Sequence, residues 1–378
     1  MSIIIKFGIL CFKFVYFFFK LLPTKNRVVM ISRQSDLPSI EFKMIQQEVK
    51  QLEKEVDVVF LCKTMGRGID SAKISSMIKN VTYFFHMFKQ MYFLATSKVV
   101  ILDSYCMLVS FLKHKKSLKV VQMWHSMGTM KLFGWSILGQ EEGSSKKIAE
   151  IMHMHENYDY FFASSQAYMS HLAKGFNCPI QNGRVFPLPR YDILKDKNYK
   201  LDKRKEIITK YPNLKNTKNI VYCPTFRKDE SQMEEAVKKL SQCIPNGFSL
   251  IVKLHPLSKI DIENKDVIID KYFSSFDTLF IADYVISDYS CIIYEAAVLD
   301  VPIAFYNFDM NNYESVRGLA IDYENELPGI ISQDAKEIME YIKNDEFDKI
   351  ELKEFSDKYV HPTEHATLDI ANFIINLL

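Results

Sequence analysis

The chain has 378 residues, 48% of them hydrophobic, which is enough to bury sizeable cores and favours two domains over one. Lys and Arg total 48 against 46 Asp and Glu, so a net charge of +2 gives no support to a nucleic-acid-binding protein. Seven scattered cysteines (11, 62, 106, 178, 223, 243 and 291) contain no Cys-x-x-Cys pair and no Cys/His cluster at zinc spacing, which points to free thiols in a reducing cytosol.

The first stretch, Ile3 to Leu22, is apolar and rich in aromatics, carries Lys6, Lys13 and Lys20, and ends at Pro23. A spacing of seven places the lysines on nearly one stripe of a helix opposite Ile, Leu, Phe and Tyr. That is the pattern of an amphipathic helix lying in a membrane interface, lysines at anionic headgroups. The lysines leave no uncharged run of about 18 residues for a spanning helix, and no small-residue cleavage site follows.

Strands are expected at Arg27–Ser32, Asp57–Cys62, Lys98–Asp103, Leu118–Trp124, Tyr158–Ala163 and Arg184–Pro187. Helical spacing runs over Glu41–Glu55 and from Ile69 to Ala95. Alternating strand and helix predicts an open parallel sheet. A polar, charged stretch from Lys195 to Lys205 marks a change of composition, and the domain boundary is placed near 195. The pattern then restarts with strands at Asn219–Cys223 and Phe248–Lys253, a helix at Met233–Cys243, and a short strand near Val267. A last amphipathic helix, about Glu364 to Leu378, is expected to pack back on the first half. The division is thus 1–25 (interface helix), 26–195 and 196–360 (two α/β domains with a cleft between them) and 361–378.

The most informative stretch is Asp283 to Pro302. It reads as a strand (Tyr284–Ile286), a polar corner at Ser287, Asp288 and Ser290, a helix from about Cys291 to Leu299, and the next strand, Pro302–Tyr306. Parallel sheets gather ligands at the carboxyl ends of their strands, and a helix start there offers unpaired amides to an anion such as a diphosphate. Other chemistry-bearing groups recur at strand ends. His125 follows a strand in Trp124-His-Ser-Met-Gly-Thr-Met-Lys131, where an imidazole suits a general base. Lys253 and His255 alternate to one face in Lys253-Leu-His-Pro256. Thr225 and Arg227 close Tyr222-Cys-Pro-Thr-Phe-Arg227, and Arg317 precedes Gly318. His153 and His155, two apart, would point away from each other on a helix and are read as structural.

Side by side, these segments resemble the CDP-glycerol glycerophosphotransferase family of wall teichoic acid synthesis. Leu22-Pro-Thr-Lys-Asn-Arg-Val-Val29 is similar to the family's entry to its first strand, and Trp124–Lys131 to its Trp-His-Gly-Thr-x-x-Lys motif. Pro189-Arg-Tyr-Asp192 is similar to its Pro-Arg-Asn-Asp, and Tyr222–Arg227 to its Tyr-Ala-Pro-Thr-Phe-Arg. Lys253–Pro256, Ser287-Asp-Tyr-Ser290 and Arg317-Gly-Leu-Ala-Ile-Asp-Tyr-Glu324 with Leu327-Pro-Gly329 complete an ordered series.

The resemblance implies a GT-B fold of two Rossmann-like domains, attachment to the cytoplasmic membrane face, and transfer of glycerol phosphate or ribitol phosphate from a CDP-activated donor to a hydroxyl of a lipid-linked saccharide acceptor, releasing CMP. On it, His125 takes the proton of the attacking hydroxyl. His255 steadies the diphosphate with Thr225, Arg227, Lys253, Ser287, Asp288, Ser290 and Arg317. No tightly bound cofactor and no protein metal site are implied, while a soluble Mg2+ riding on the donor stays open. The length looks more like the short enzymes that add a first unit than the long polymerases. Ser126 stands where the family's motif has glycine, and its Cβ would narrow the acceptor side. A glycosyltransferase using a nucleotide sugar, or a catalytically silent membrane-bound assembly partner, are the readings that compete.

Overall fold

Runs of Val, Ile, Leu and aromatic residues form two six-stranded, wholly parallel sheets in the computed structural model, which describes residues 2–66, 74–140, 143–227, 229–255, 258, 260–262, 264–310 and 318–378. The chain divides into two compact units. The first comprises Met1–Ser126, Phe133–Arg190 and Thr363–Leu378; the second comprises Met127–Leu132 and Tyr191–Pro362.

The first unit holds β1 (Arg27–Ser32), β2 (Asp57–Cys62), β3 (Val99–Leu102), β4 (Lys119–Gln122), β5 (Tyr160–Ala163) and β6 (Gly183–Val185), in the order β2-β1-β3-β4-β5-β6. The second holds β7 (Lys218–Tyr222), β8 (Phe248–Val252), β9 (Ile268–Ile269), β10 (Tyr284–Ser287), β11 (Ile303–Tyr306) and β12 (Ile331–Ser332), in the order β12-β11-β10-β7-β8-β9. Strands β1, β3, β10 and β11 are buried along their whole length, because helices cover both faces of a parallel sheet. The second order is that of the dinucleotide-binding Rossmann sheet. The first differs: one strand, not two, lies on the near side of β1, which is the flavodoxin-type winding. Strand order reverses between β1 and β3 in the first sheet and between β7 and β10 in the second. Connections leave these neighbours towards opposite faces, so each reversal opens a crevice at the strand ends.

Three helices of the first unit matter below: α1 (Ser2–Phe19), α2 (Ile40–Leu52) and α3 (Ile74–Thr96). The expected helix over 69–95 is α3, with 69–73 outside the described residues. Ser39 caps α2 by accepting from the amide of Phe42 at 3.3 Å. The last helix, Ala366–Ile375, buries Ala366, Ile370, Ala371 and Ile374 and lies along α2. The charged stretch after 195 is no loop. Asp196 caps a helix, Lys197–Lys210, whose residues other than Ile207 stay out of the core, so its sequence shows helix-surface polarity without a helical stripe.

Helix α1 corrects the picture of a freely lying amphipathic helix. One side is packed: Ile9 and Tyr16 are buried, Phe12 meets Phe84, Phe88 and Phe111, and the Tyr16 hydroxyl pairs with His114 Nδ1 at 2.8 Å. The other side exposes Ile3, Phe7, Leu10, Phe14, Phe17, Phe18 and Leu21. The aromatic excess serves two surfaces at once. Beside it α3 exposes Met77, Ile78, Val81, Phe84 and Phe85, so the apolar surface is shared by two helices. Among the described residues no helix is long and apolar enough to cross a membrane.

Candidate active site

His125 lies just beyond β4, next to the end of β3. The ladder continues past both strands, with the Met123 amide on the Leu102 carbonyl at 2.7 Å, and this sets the chain beyond β4 beside Asp103. His125 Nδ1 then lies 2.9 Å from the Asp103 carbonyl oxygen. A carbonyl only accepts, so Nδ1 carries the proton and the basic lone pair is at Nε2. His125 is exposed as a residue, while its ring is packed about by protein atoms. That enclosure favours the neutral ring and lowers its pKa. Arg190 lowers it further, while the Asp103 bond and Glu41 oppose.

The turn that presents this histidine is strained. Trp124 has φ of 68°, the left-handed region that a bulky residue rarely occupies, at a cost of about 1–3 kcal/mol. Its amide donates to Gln122 Oε1 at 3.1 Å. The Gln122 amide nitrogen donates to the Ser104 carbonyl at 3.3 Å and to the Tyr158 hydroxyl at 3.1 Å, and that hydroxyl pairs with His155 Nδ1 at 2.9 Å. The Trp124 indole lies 4.3 Å from the His125 ring, backed by Phe133 at 4.7 Å and Phe176 at 5.3 Å. A buried polar network and an aromatic stack thus hold the base from behind. His155 belongs to that network, with burial pushing its pKa down to about 3, and His153 pairs with Glu156 at 3.0 Å. Ser126 has no positive φ, so the position does not demand glycine. Beyond it, the motif continues in the second unit, where Lys131 bridges to Leu319 and the Ala320 amide donates to the Met130 carbonyl at 2.9 Å.

At the second sheet's reversal, between β7 and β10, the charges are paired. The buried Asp288 carboxylate accepts from the Thr225 amide at 2.9 Å, the Tyr289 amide at 2.6 Å and Arg227 Nη1 at 2.7 Å. Arg227 also makes a two-pronged pair with Asp309, at 2.6 and 2.9 Å. One cation thus sits between two carboxylates, which lift its pKa against desolvation. Arg227, expected to help hold the diphosphate, clamps the ends of β7, β10 and β11 together. Lys253 is paired in the same way. Its buried ammonium is bound by Asp270 Oδ2 at 3.0 Å, by the Asp270 carbonyl at 3.1 Å and by the Phe273 carbonyl. Ser287 donates to the Cys223 carbonyl at 3.0 Å, and both Ser287 and Asp288 are fully buried.

What remains at that rim is smaller. His255 is exposed, its ring 5.4 Å from Phe226. Ser290 is half-buried and accepts weakly from the Ile292 amide at 3.4 Å, ahead of the helix Ile292–Val298. The Thr225 hydroxyl is buried without a hydrogen-bond partner. Arg317 and Pro256 lie outside the described residues. Among the described residues no group of three or more His, Cys, Asp and Glu side chains is arranged to hold a metal ion.

Sequence reasoning missed Asp103, Gln122 and Trp124. Gln122, polar in the middle of Val-Val-Gln-Met, was the available signal, since a buried strand carries an amide only where it has partners.

Residues 14–374 match the model of the family described as CDP-glycerol:poly(glycerophosphate) glycerophosphotransferase. The chain is 29% identical over 373 residues to a teichoic acid ribitol-phosphate primase of Bacillus spizizenii, covering 95% of this chain and 93% of the primase. It is 31% identical over 301 residues to a teichoic acid glycerol-phosphate primase of Bacillus subtilis, covering 78% and 77%. Its fold is similar to a structure of the wall teichoic acid polymerase TagF with CDPG, at a TM-score of 0.74, 17% identity, and coverage of 97% and 93%.

Proposed function

The chain belongs to the CDP-glycerol:poly(glycerophosphate) glycerophosphotransferase family, and from that premise we propose how it works as a transferase of teichoic acid synthesis. The donor is CDP-glycerol or CDP-ribitol, and the acceptor is a hydroxyl on a membrane lipid-linked saccharide. The acceptor oxygen attacks the phosphorus that bears the polyol. A new P–O bond forms, the bond to the CMP phosphate breaks with its electron pair going to CMP, and His125 Nε2 takes the hydroxyl proton. His255 steadies the charge gathering on the leaving phosphate, with the hydroxyls of Thr225 and Ser290 and the cation of Arg317 as further donors. Phosphoryl transfer depends chiefly on positioning and electrostatics, and a neutral imidazole pinned through Nδ1 is suited to the first. The observation that carries this reading is the match from 14 to 374, which spans both sheets and both histidine corners.

The test is CMP release from CDP-glycerol and CDP-ribitol, with and without a lipid-linked disaccharide, and with Mg2+ or EDTA. Acceptor-dependent CMP from one donor, reduced by about 100-fold or more in His125→Ala and His255→Ala, is the expected result. Turnover of a nucleotide sugar with no turnover of either CDP-polyol would replace the reading with a glycosyltransferase.

The protein sits peripherally on the cytoplasmic membrane face through α1 and α3. The exposed Phe, Leu and Ile side chains enter the headgroup boundary, and Lys6 and Lys13, both exposed, meet anionic lipid. Because Ile9 and Tyr16 pack inward, deleting α1 would confuse binding with folding. Phe7→Ser with Phe14→Ser spares the packed side and should lower partition onto anionic vesicles by tenfold or more at unchanged Tm. Undiminished partition would sink this placement.

A further inference from the structure

We propose that a cluster of polar side chains at the first sheet's reversal, bounded by the ends of β1 and β3 and by α3, binds the hydroxyl-rich, phosphate-bearing end of the acceptor. This rests on the reading of the chain as a phosphotransferase. The observation behind it is a concentration of unpaired groups. Arg33 Nε, the hydroxyls of Tyr83, Tyr105 and Ser110, both amide atoms of Gln90, and Asp103 Oδ1 are all buried without a hydrogen-bond partner. Native interiors leave few such atoms, and each one needs a reason.

Five of the six side chains are neighbours, and the Arg33 amide donates to Ser104 Oγ at 3.3 Å, next in sequence to Asp103. The Arg33 guanidinium lies 5.7 Å from the centre of the Tyr105 ring. The Tyr83 hydroxyl lies near Gln90 and Arg33, and that of Tyr105 near Ser110 and Arg33, close enough for weak mutual hydrogen bonding although none of these pairs reaches full hydrogen-bond geometry. Arg33 and Tyr105 are half-buried and form the open rim; Tyr83, Gln90, Asp103 and Ser110 lie beneath. The chemistry is one guanidinium for a phosphate oxygen, surrounded by hydroxyl, amide and carboxyl groups that exchange hydrogen bonds with a polyol or sugar.

Position gives the cluster its role. The backbone carbonyl of Asp103 holds His125 Nδ1, so a ligand here lies next to the base. Tyr83 and Gln90 stand seven apart on the inner face of α3, while Met77, Ile78, Val81, Phe84 and Phe85 are exposed on its outer face. One helix therefore joins a lipid-facing surface to a polar cluster, which is the arrangement a headgroup tethered to a bilayer needs.

The experiment uses the full chain. Tyr83→Phe and Gln90→Leu, both close in shape to the native residues, and Arg33→Gln are compared with wild type for acceptor KM, CDP-polyol KM, Tm and binding of sn-glycerol 3-phosphate. The expected result is an acceptor KM raised about tenfold in Arg33→Gln and several-fold in the other two, with the CDP-polyol KM unmoved. Glycerol 3-phosphate binding should weaken about tenfold in Arg33→Gln. The proposal is overturned if the acceptor KM is unmoved in folded Tyr83→Phe and Gln90→Leu, which would mean that the cluster holds structural water only. It is also overturned if the CDP-polyol KM moves instead. Should wild type turn over no CDP-polyol, the transferase reading fails, and glycerol 3-phosphate binding still decides the cluster: equal binding by wild type and Arg33→Gln rejects it.

Discussion

The reversal point of the second sheet and that of the first are built from the same kind of strand end and are finished in opposite ways. Between β7 and β10 the ionic groups are consumed: Arg227 joins Asp288 to Asp309, and Asp288 also gathers two amides. Between β1 and β3 the polar groups are left open: Arg33, Tyr83, Gln90, Asp103 and Tyr105 keep buried atoms without partners, and next to them a tryptophan is held in a strained turn. Pairing of the ionic groups stabilises a frame and leaves a ligand there to the uncharged groups around it. Incomplete pairing lowers stability and keeps groups available to a ligand.

The largest effect that separates the two corners is expected from Arg227→Met. It would strand the buried carboxylate of Asp288 and the half-buried one of Asp309, and losing the partner of a buried charge costs about 3–5 kcal/mol. Chemical denaturation should show that loss directly, whereas Arg33→Gln should unfold within about 1 kcal/mol of wild type. Equal losses in the two variants would show that the corners do not differ as described.

Next comes Asp103. Burial pushes its carboxyl up to about 6, although the nearby Ser32 and Ser104 hydroxyls act to lower it. A raised acid pKa means that the folded state resists ionisation. The penalty is absent below the unfolded pKa of about 3.9 and complete above the folded value. Asp103→Asn should therefore gain roughly 1–3 kcal/mol at pH 8 and little at pH 4, while its acceptor KM rises. A flat stability difference between those two pH values would contradict the assignment.

Much of this frame was legible in the sequence because buried parallel strands are apolar runs, and the polar residues that end them announce the ligand rim. His125 and His255 stand out for that reason. Partners distant in sequence were not legible. Asp309 lies 82 residues from Arg227, so the ion pair could not be read from the local motif, and Lys253 met Asp270 in the same way. Arg33, Tyr83 and Asp103 come from separate elements and form a cluster only when β3 crosses to the far side of β1. The helix Lys197–Lys210 went unread for a different reason: a helix with one buried residue leaves no apolar stripe to read.

A smaller effect should follow from the support behind the base. Gln122→Leu removes the acceptor of the Trp124 amide and a donor to Tyr158, while keeping the volume of the side chain. Misplacing a base by a fraction of an ångström is felt in kcat more than in donor KM, so a fall in kcat of about tenfold is expected. Gln122→Glu retains the acceptor for the Trp124 amide and should recover part of that loss. If both variants lose kcat equally, the amide contact does not position the turn.

The smallest shift lies in the pH profile of kcat/KM. Enclosure of the ring lowers the His125 pKa, with Arg190 acting in the same direction. The neutral, proton-accepting form therefore survives to lower pH than in a free imidazole, whose pKa is about 6.5, and the acid limb of the profile should have its midpoint below that value. His125→Ala should lack this limb in whatever residual activity it keeps. A wild-type midpoint at or above that of free imidazole would mean either that another group titrates or that the ring is more open to water in solution. Solvent accessibility of the His125 ring, read by its NMR titration in the free enzyme, separates the two: a lowered pKa there with an unshifted kinetic limb would assign the limb elsewhere.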